Sequence, residues 1–181
     1  AEIVTKELDL AYYVAAAVPE KLRRLGRAAA KSFGASSRFI HLEFFRLKKP
    51  RKGLGDVGDY VALEVNMRPA GGDTPDMMNY AHATDVYRIW ADMVVMDGRS
   101  LPESRQDHFC VYAGRRDKFQ YVHSHDDVMA RYGAAMAQMG ENPMMSWPQM
   151  GNRFYMAHVP DEAAAKEFIS RQKNQRKKKR L

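Results

Sequence analysis

The segment RFIHLEFFRL (38–47) is followed by a charged, glycine-rich interval, KKPRKGLGDVGD (48–59), and then by YVALEVNM (60–67); these three pieces decide the fold. Both flanks are rich in aromatic and aliphatic residues that suit a pleated, half-buried surface. The interval between them cannot continue either one. The reading is strand, loop, strand, closing as a hairpin. Side chains alternate along a strand, so Glu43 shares a face with His41 and Phe45, and Glu64 shares one with Asn66. A register that pairs Leu47 with Tyr60 brings Glu43 directly opposite Glu64. Like charges opposed across a sheet destabilise it. Either one acid holds a proton, or a cation lies between them.

Two carboxylates and an amide carbonyl are hard oxygen ligands of the kind Mg²⁺ accepts, with water and phosphate oxygens completing an octahedron. Just downstream come Arg68 and the pair Gly71-Gly72. An arginine offers forked donors to phosphate or carboxylate, and a glycine pair lets backbone N–H groups approach an anion closely. Taken alone, Glu64 and Asn66 read more simply as a solvent-facing polar stripe. With Glu43, Arg68 and the glycine pair in order, the set reads as a metal and phosphate site suited to phosphoryl transfer, where positioning and charge neutralisation dominate.

Outward from the hairpin, residues 19–34 predict a helix with Leu22, Leu25, Ala29 and Phe33 on one face, Pro19 at its start and Gly34 at its end. Residues 68–76 are irregular, and a helix is expected over 77–95, with Val86, Ile89, Trp90, Met93 and Val94 on one side. Residues 107–114 and 118–123 predict a strand pair turning at Arg115-Arg116-Asp117. A helix is expected over 125–139, a strand over 153–159 and a last helix from Pro160. The fold class is α+β, a mixed and mainly antiparallel sheet flanked by helices, with a small α/β appendage. The organisation expected is a lobe over 1–97, a small subdomain over 98–173 and a basic tail over 174–181.

The chain has 181 residues, 45% of them apolar, enough for a domain with a core. No apolar run approaches the ~20 residues of a membrane span, and no signal-peptide pattern opens the chain. The single cysteine, Cys110, allows no intrachain disulfide. Together these predict a cytoplasmic setting without a membrane partner. Ala1 is not an initiator methionine, which reads as a fragment or a processed piece of a longer chain. The net charge of +7 is local, because seven basic residues lie between Arg171 and Arg180 with no acid among them. Without them, acidic and basic residues are equal in number at 22.

The stretches HLEFFR (41–46) and ALEVNMRPAGGDTPD (62–76), followed by a helix with Asp85 and Tyr87, resemble the C-terminal half of an ATP-grasp domain. The likeness is to the branch of biotin carboxylase and the large chain of carbamoyl-phosphate synthetase, and covers roughly residues 15–95. It implies that Glu43, Glu64 and Asn66 bind the Mg²⁺ (or Mn²⁺) ions bridging the ATP phosphates. It also implies that Arg68 contacts the transferred phosphate or acyl-phosphate, and that Gly71 and Gly72 lie at the nucleotide. The reaction implied is that of a carboxylate–amine ligase. A small carboxylate attacks the γ-phosphate of ATP, and a nucleophile displaces phosphate from the acyl-phosphate. The family's glycine-rich flap and nucleotide-binding lysines belong to an N-terminal half that this chain lacks. Activity would therefore require that half from elsewhere, and the resemblance leaves a homodimer open.

Other motifs carry plainer readings. GLGDVG (53–58) matches a dinucleotide-binding pattern but is preceded by a charged loop and followed by a strand, so it reads as a hairpin loop. His123, His125, Asp126 and Asp127 could gather a metal but read as a helix start near Ser124. Arg115-Arg116 could grip an anion but reads as a solvated turn. The methionines read as core filler and Cys110 as inert. The tail RKKKR (176–180) has no interleaved aromatic to stack bases, so a nucleic-acid partner is not expected. The rival reading is a non-enzymatic module that uses this tail to hold nucleic acid or another anionic partner.

Overall fold

The computed structural model describes residues 5–98 and 108–175. In chain order these form β1 (Ala11–Val14), α1 (Glu20–Ser32), β2 (His41–Arg46), β3 (Tyr60–Asn66), α2 (Thr74–His82) and α3 (Val86–Met96). The order continues with β4 (Phe109–Arg115), α4 (His125–Tyr132), β5 (Met136–Glu141), α5 (Trp147–Met150), β6 (Arg153–Val159) and α6 (Glu162–Lys173). The architecture is α+β, and every strand pair among the described residues is antiparallel. The basic tail 176–181 lies outside the described residues.

The chain divides into two units. The first joins residues 1–16, 76–84 and 104–181, and the second joins 17–75 and 85–103. The division is thus interleaved, and a single cut at 97/98 does not describe it. Two elements cause this: β1, a strand that the sequence reading did not include, pairs with β4 nearly a hundred residues later, and α2 packs Met77 and Ala81 against the same sheet.

In the first unit a four-stranded sheet runs in the order β1-β4-β6-β5. Alternation along β4 and β6 builds a core on each face. Val111, Ala113, Tyr155, Ala157 and Val159 pack on one side with Val128 of α4 and with Ala165 and Phe168 of α6. Cys110, Tyr112, Phe154 and Met156 pack on the other with Met77 and Ala81 of α2. Cys110 is fully buried, and desolvation pushes its thiol up to about 12, so it is not a nucleophile at neutral pH.

The second unit is thinner. Its hairpin β2–β3 carries α1 on one face, where a side chain at Gly26 would meet Leu42 Cδ1 at 3.7 Å. Phe39 packs on Trp90 of α3 with ring centroids 6.0 Å apart. Among its described residues only Val86 and Asp92 are buried, Asp92 accepting from Arg88 Nε at 2.9 Å.

Three element expectations are corrected. The helix over 77–95 is two helices, because Ala83 turns left-handed (φ 44°) and Asp85 caps a new start by accepting from the Arg88 N–H at 2.9 Å. The helix over 125–139 ends at Tyr132, passes through a 3₁₀ turn and becomes β5, which pairs with β6. Residues 118–123 are no strand: Tyr121 makes an isolated bridge to Gln175, and β4 takes β1 and β6 as neighbours instead.

Two outcomes follow from this packing. Phe168 is fully buried and meets the Tyr132 ring edge-on at 4.9 Å, so Phe168→Ala should cost about 3–5 kcal/mol in urea unfolding. His158 stands below the usual histidine range, chiefly through burial and secondarily through His108. The fold therefore holds it neutral while the unfolded chain protonates near pH ~6.5. Its contribution is whole above that pH and is lost as pH falls through the lowered folded value. His158→Phe should flatten the fall of the urea midpoint between pH 7 and 5; identical slopes in the two proteins would contradict the assignment.

Candidate functional site

The hairpin places the acids by a detail of its register. From the loop end the pairing runs Arg46↔Tyr60, Phe45↔Val61 and Phe44↔Ala62, one residue away from the register that pairs Leu47 with Tyr60. Continued without a break, it would set Glu43 against Leu63 and turn Glu64 to the opposite face. A bulge intervenes, with Leu63 the extra residue, and the ladder resumes as Glu43↔Glu64, Leu42↔Val65 and His41↔Asn66. Bulges of this kind re-aim side chains and concentrate near functional sites. Glu43, Glu64, His41 and Asn66 consequently share one face as two neighbouring cross-strand pairs.

The face is open. Glu64 is exposed, and the Glu43 side chain keeps 41% of its accessible surface. Asn66 Nδ2 donates to Glu64 Oε1 at 2.9 Å, and His41 Nε2 lies 3.8 Å from Glu43 Oε1. No lysine or arginine among the described residues pairs with either carboxylate, so two acids opposed on a sheet have only an amide and an imidazole to offset them. His41 Nδ1 is buried without a hydrogen-bond partner among the described residues.

The remaining predicted residues follow at the end of β3. Arg68 is exposed and donates from Nη1 to the Pro69 carbonyl at 2.8 Å, so it folds back on its own loop and touches neither acid. Gly72 has φ 60°, a conformation that disfavours other residues, whereas a side chain at Gly71 would meet nothing within 4 Å. The structure brings Glu43, Glu64 and Asn66 together and leaves Arg68 and the glycine pair as an adjoining exposed segment. Among the described residues no cluster of three or more His, Cys, Asp or Glu is gathered to hold a metal. An ion here would draw on two carboxylates, the Asn66 amide turned to present Oδ1, and oxygens from outside the chain.

The other sequence motifs separate cleanly. GLGDVG is the hairpin loop: Gly53, Gly55 and Gly58 take φ 79°, 132° and 88°, and a side chain at Gly55 would fall 2.4 Å from Asp59 Oδ2. Asp59 pairs with Lys21, which holds its carboxyl below the usual range. Ser124 and Asp127 form a capping box for α4, Asp127 N donating to Ser124 Oγ at 3.2 Å, the helix start expected there. Arg115 and Arg116 do not form a solvated turn: both are buried, at 6% and 4% exposure.

If opposed charge is the dominant feature of the pair, Glu64→Gln should raise stability at pH 7 by about 0.2–1 kcal/mol in metal-free urea unfolding. A loss of stability would show that the carboxylates are held by favourable contacts instead.

No protein-family model matches the chain, and comparison with curated proteins finds none that matches.

Proposed function

We propose that this chain supplies the metal–nucleotide carboxylates of an ATP-dependent ligase of the ATP-grasp type. The observation that supports the reading is the bulged register, which opposes Glu43 and Glu64 with Asn66 alongside and leaves both acids without a lysine or arginine partner among the described residues. Glu43, Glu64 and Asn66 would hold Mg²⁺ or Mn²⁺ against the ATP phosphates. The ion would stabilise charge developing on the transferred phosphoryl group. Arg68, on an exposed loop, has the reach to leave the Pro69 carbonyl and fork onto a phosphoryl or acyl-phosphate oxygen. The backbone at Gly71-Gly72 offers close approach to an anion. The acyl acceptor chemistry, a small carboxylate followed by an amine, and an N-terminal half supplying the adenine site belong to the same proposal.

Mn²⁺ with ATP, added to isotope-labelled protein, should broaden amide signals first at residues 41–46 and 60–72. Glu64→Gln should weaken that effect roughly tenfold or more, since even outer residues of metal sites carry 10–100-fold. Broadening centred elsewhere, or unchanged in both Glu43→Gln and Glu64→Gln, would overturn the assignment.

A further inference from the structure

In the first unit, a cavity of about 240 Å³ lies at the end of β4, bounded in part by Arg115, His123, His125, Arg153 and Tyr155, with one carboxylate, Asp117, also in its lining. The geometry points to a binding site for a phosphate group carried by a small molecule, independent of the metal reading above.

The floor of the cavity carries the argument. Arg115 donates from Nε to the Gln172 carbonyl at 3.1 Å and from Nη1 to the His123 carbonyl at 2.9 Å, while Nη2 has no acceptor among the described residues. Its guanidinium carbon lies 4.4 Å from the Tyr121 ring centre and 5.4 Å from that of Tyr155. Ring faces stabilise the cation through its flat side and leave the in-plane N–H groups of Nη2 unanswered. Burial draws the Arg115 pKa down, partly offset by Tyr155, Tyr121 and Asp9.

Carboxylate charge corrects this only in part, through Asp9. Asp9 is buried nearby but accepts from Tyr121 Oη at 2.9 Å and Gln175 Nε2 at 2.8 Å, and makes no ion pair with Arg115 among the described residues. Arg116 next door is also buried and spends its guanidinium on neutral oxygens, the carbonyls of Leu8, Trp147 and Pro148. Two adjacent buried guanidiniums thus donate only to carbonyls. Buried charges are ordinarily paired, so carbonyls alone leave room for an anion to add stabilisation.

The rim can receive that charge. Arg153 is exposed and held at 3.3 Å from Asp117 and 3.8 Å from Glu141, surface pairs of the kind that exchange partners at little cost. His125 Nδ1 meets Tyr155 Oη at 3.0 Å, leaving Nε2 for a ligand. Arg115 Nη2 is shielded from bulk water, so first contact falls on Arg153 and His125, with Arg115 acting through the low-dielectric floor. The volume is below the ~300 Å³ at which drug-sized pockets begin, so it suits a compact phosphate ester.

The test is a titration of the labelled chain with inorganic phosphate at ionic strength held constant with chloride. Saturable shifts at His123, His125, Arg153 and Tyr155 are expected, with a millimolar Kd of the order that two or three charge-assisted hydrogen bonds sustain. Arg115 variants risk unfolding, so the exposed Arg153→Gln and His125→Ala carry the test. Each should weaken binding about fivefold or more, and Arg153→Gln, whose ion pairs are exposed, should do so while leaving the thermal midpoint in place. Shifts that rise without saturating, an unchanged Kd in both variants, or a response centred on residues 68–72 would overturn the proposal.

Discussion

Strand β4 must be covered on both faces and both edges, and the first unit is organised around that requirement. Its residues alternate between two cores, so helices from three distant parts of the sequence are drawn onto it. Its edges take β1 and β6. At Gly114 the fit leaves no room for a side chain, because a Cβ there would lie 1.9 Å from the Met150 carbonyl oxygen. The same closeness forces Gly151 to φ 87°, and Asn152 N donates to the Arg115 carbonyl at 2.8 Å. The chain after β4 therefore cannot turn outward as a simple hairpin. It is pressed against the 147–152 segment, and Arg115 and Arg116 are carried inside with it.

The second unit answers to a different constraint. With so few residues fully buried, its precision comes from backbone pairing, and one extra residue in β3 decides which side chains meet. Leu63 is 53% exposed, so the extra residue itself adds nothing to a core. What the bulge changes is the pairing of Glu43, which meets Glu64 in place of Leu63. The same shift sets half-buried Val65, in place of Glu64, beside Leu42 on the face that α1 covers, so the bulge serves the thin core of this unit as well as opposing the two acids.

These two features mark how far sequence alone could reach. The hairpin was legible because strand composition and a glycine-rich interval are local signals. The opposition of Glu43 and Glu64 was also legible, but from a uniform register, whereas the structure reaches it by a shifted ladder and a bulge. YVALEVN is nearly continuous in apolar residues, so its periodicity holds no mark of where a residue is added. The first unit was less legible because its determinants are non-local. Nothing in AYYV predicts a partner near residue 112, and Met136 to Met139 satisfy a helical face as well as a strand until β6 offers an edge. Arg115-Arg116 misled for a related reason. Adjacent arginines are solvated by default, and only the carbonyls of Leu8, Trp147, Pro148, His123 and Gln172, converging from elsewhere, make burial tolerable.

Several charged residues elsewhere are matched locally: Lys21 with Asp59, Arg131 and Arg171 with Glu167, Lys166 with Glu162. Glu167 lies below the usual carboxylate range because two arginines hold it, first through Arg131 and then through Arg171. Against those pairs, two opposed acids with no lysine or arginine partner and two buried arginines that donate only to carbonyls are departures of opposite sign, each inside its own unit. On the hairpin, folding alone would favour removing a charge, since a glutamine in β3 would lower the electrostatic cost; at the end of β4 the arginines stay because the carbonyls of Gln172, His123, Leu8, Trp147 and Pro148 depend on them as donors. The charges make physical sense if each is completed by something the chain does not contain, a cation on the open hairpin face and an anion above the guanidinium floor.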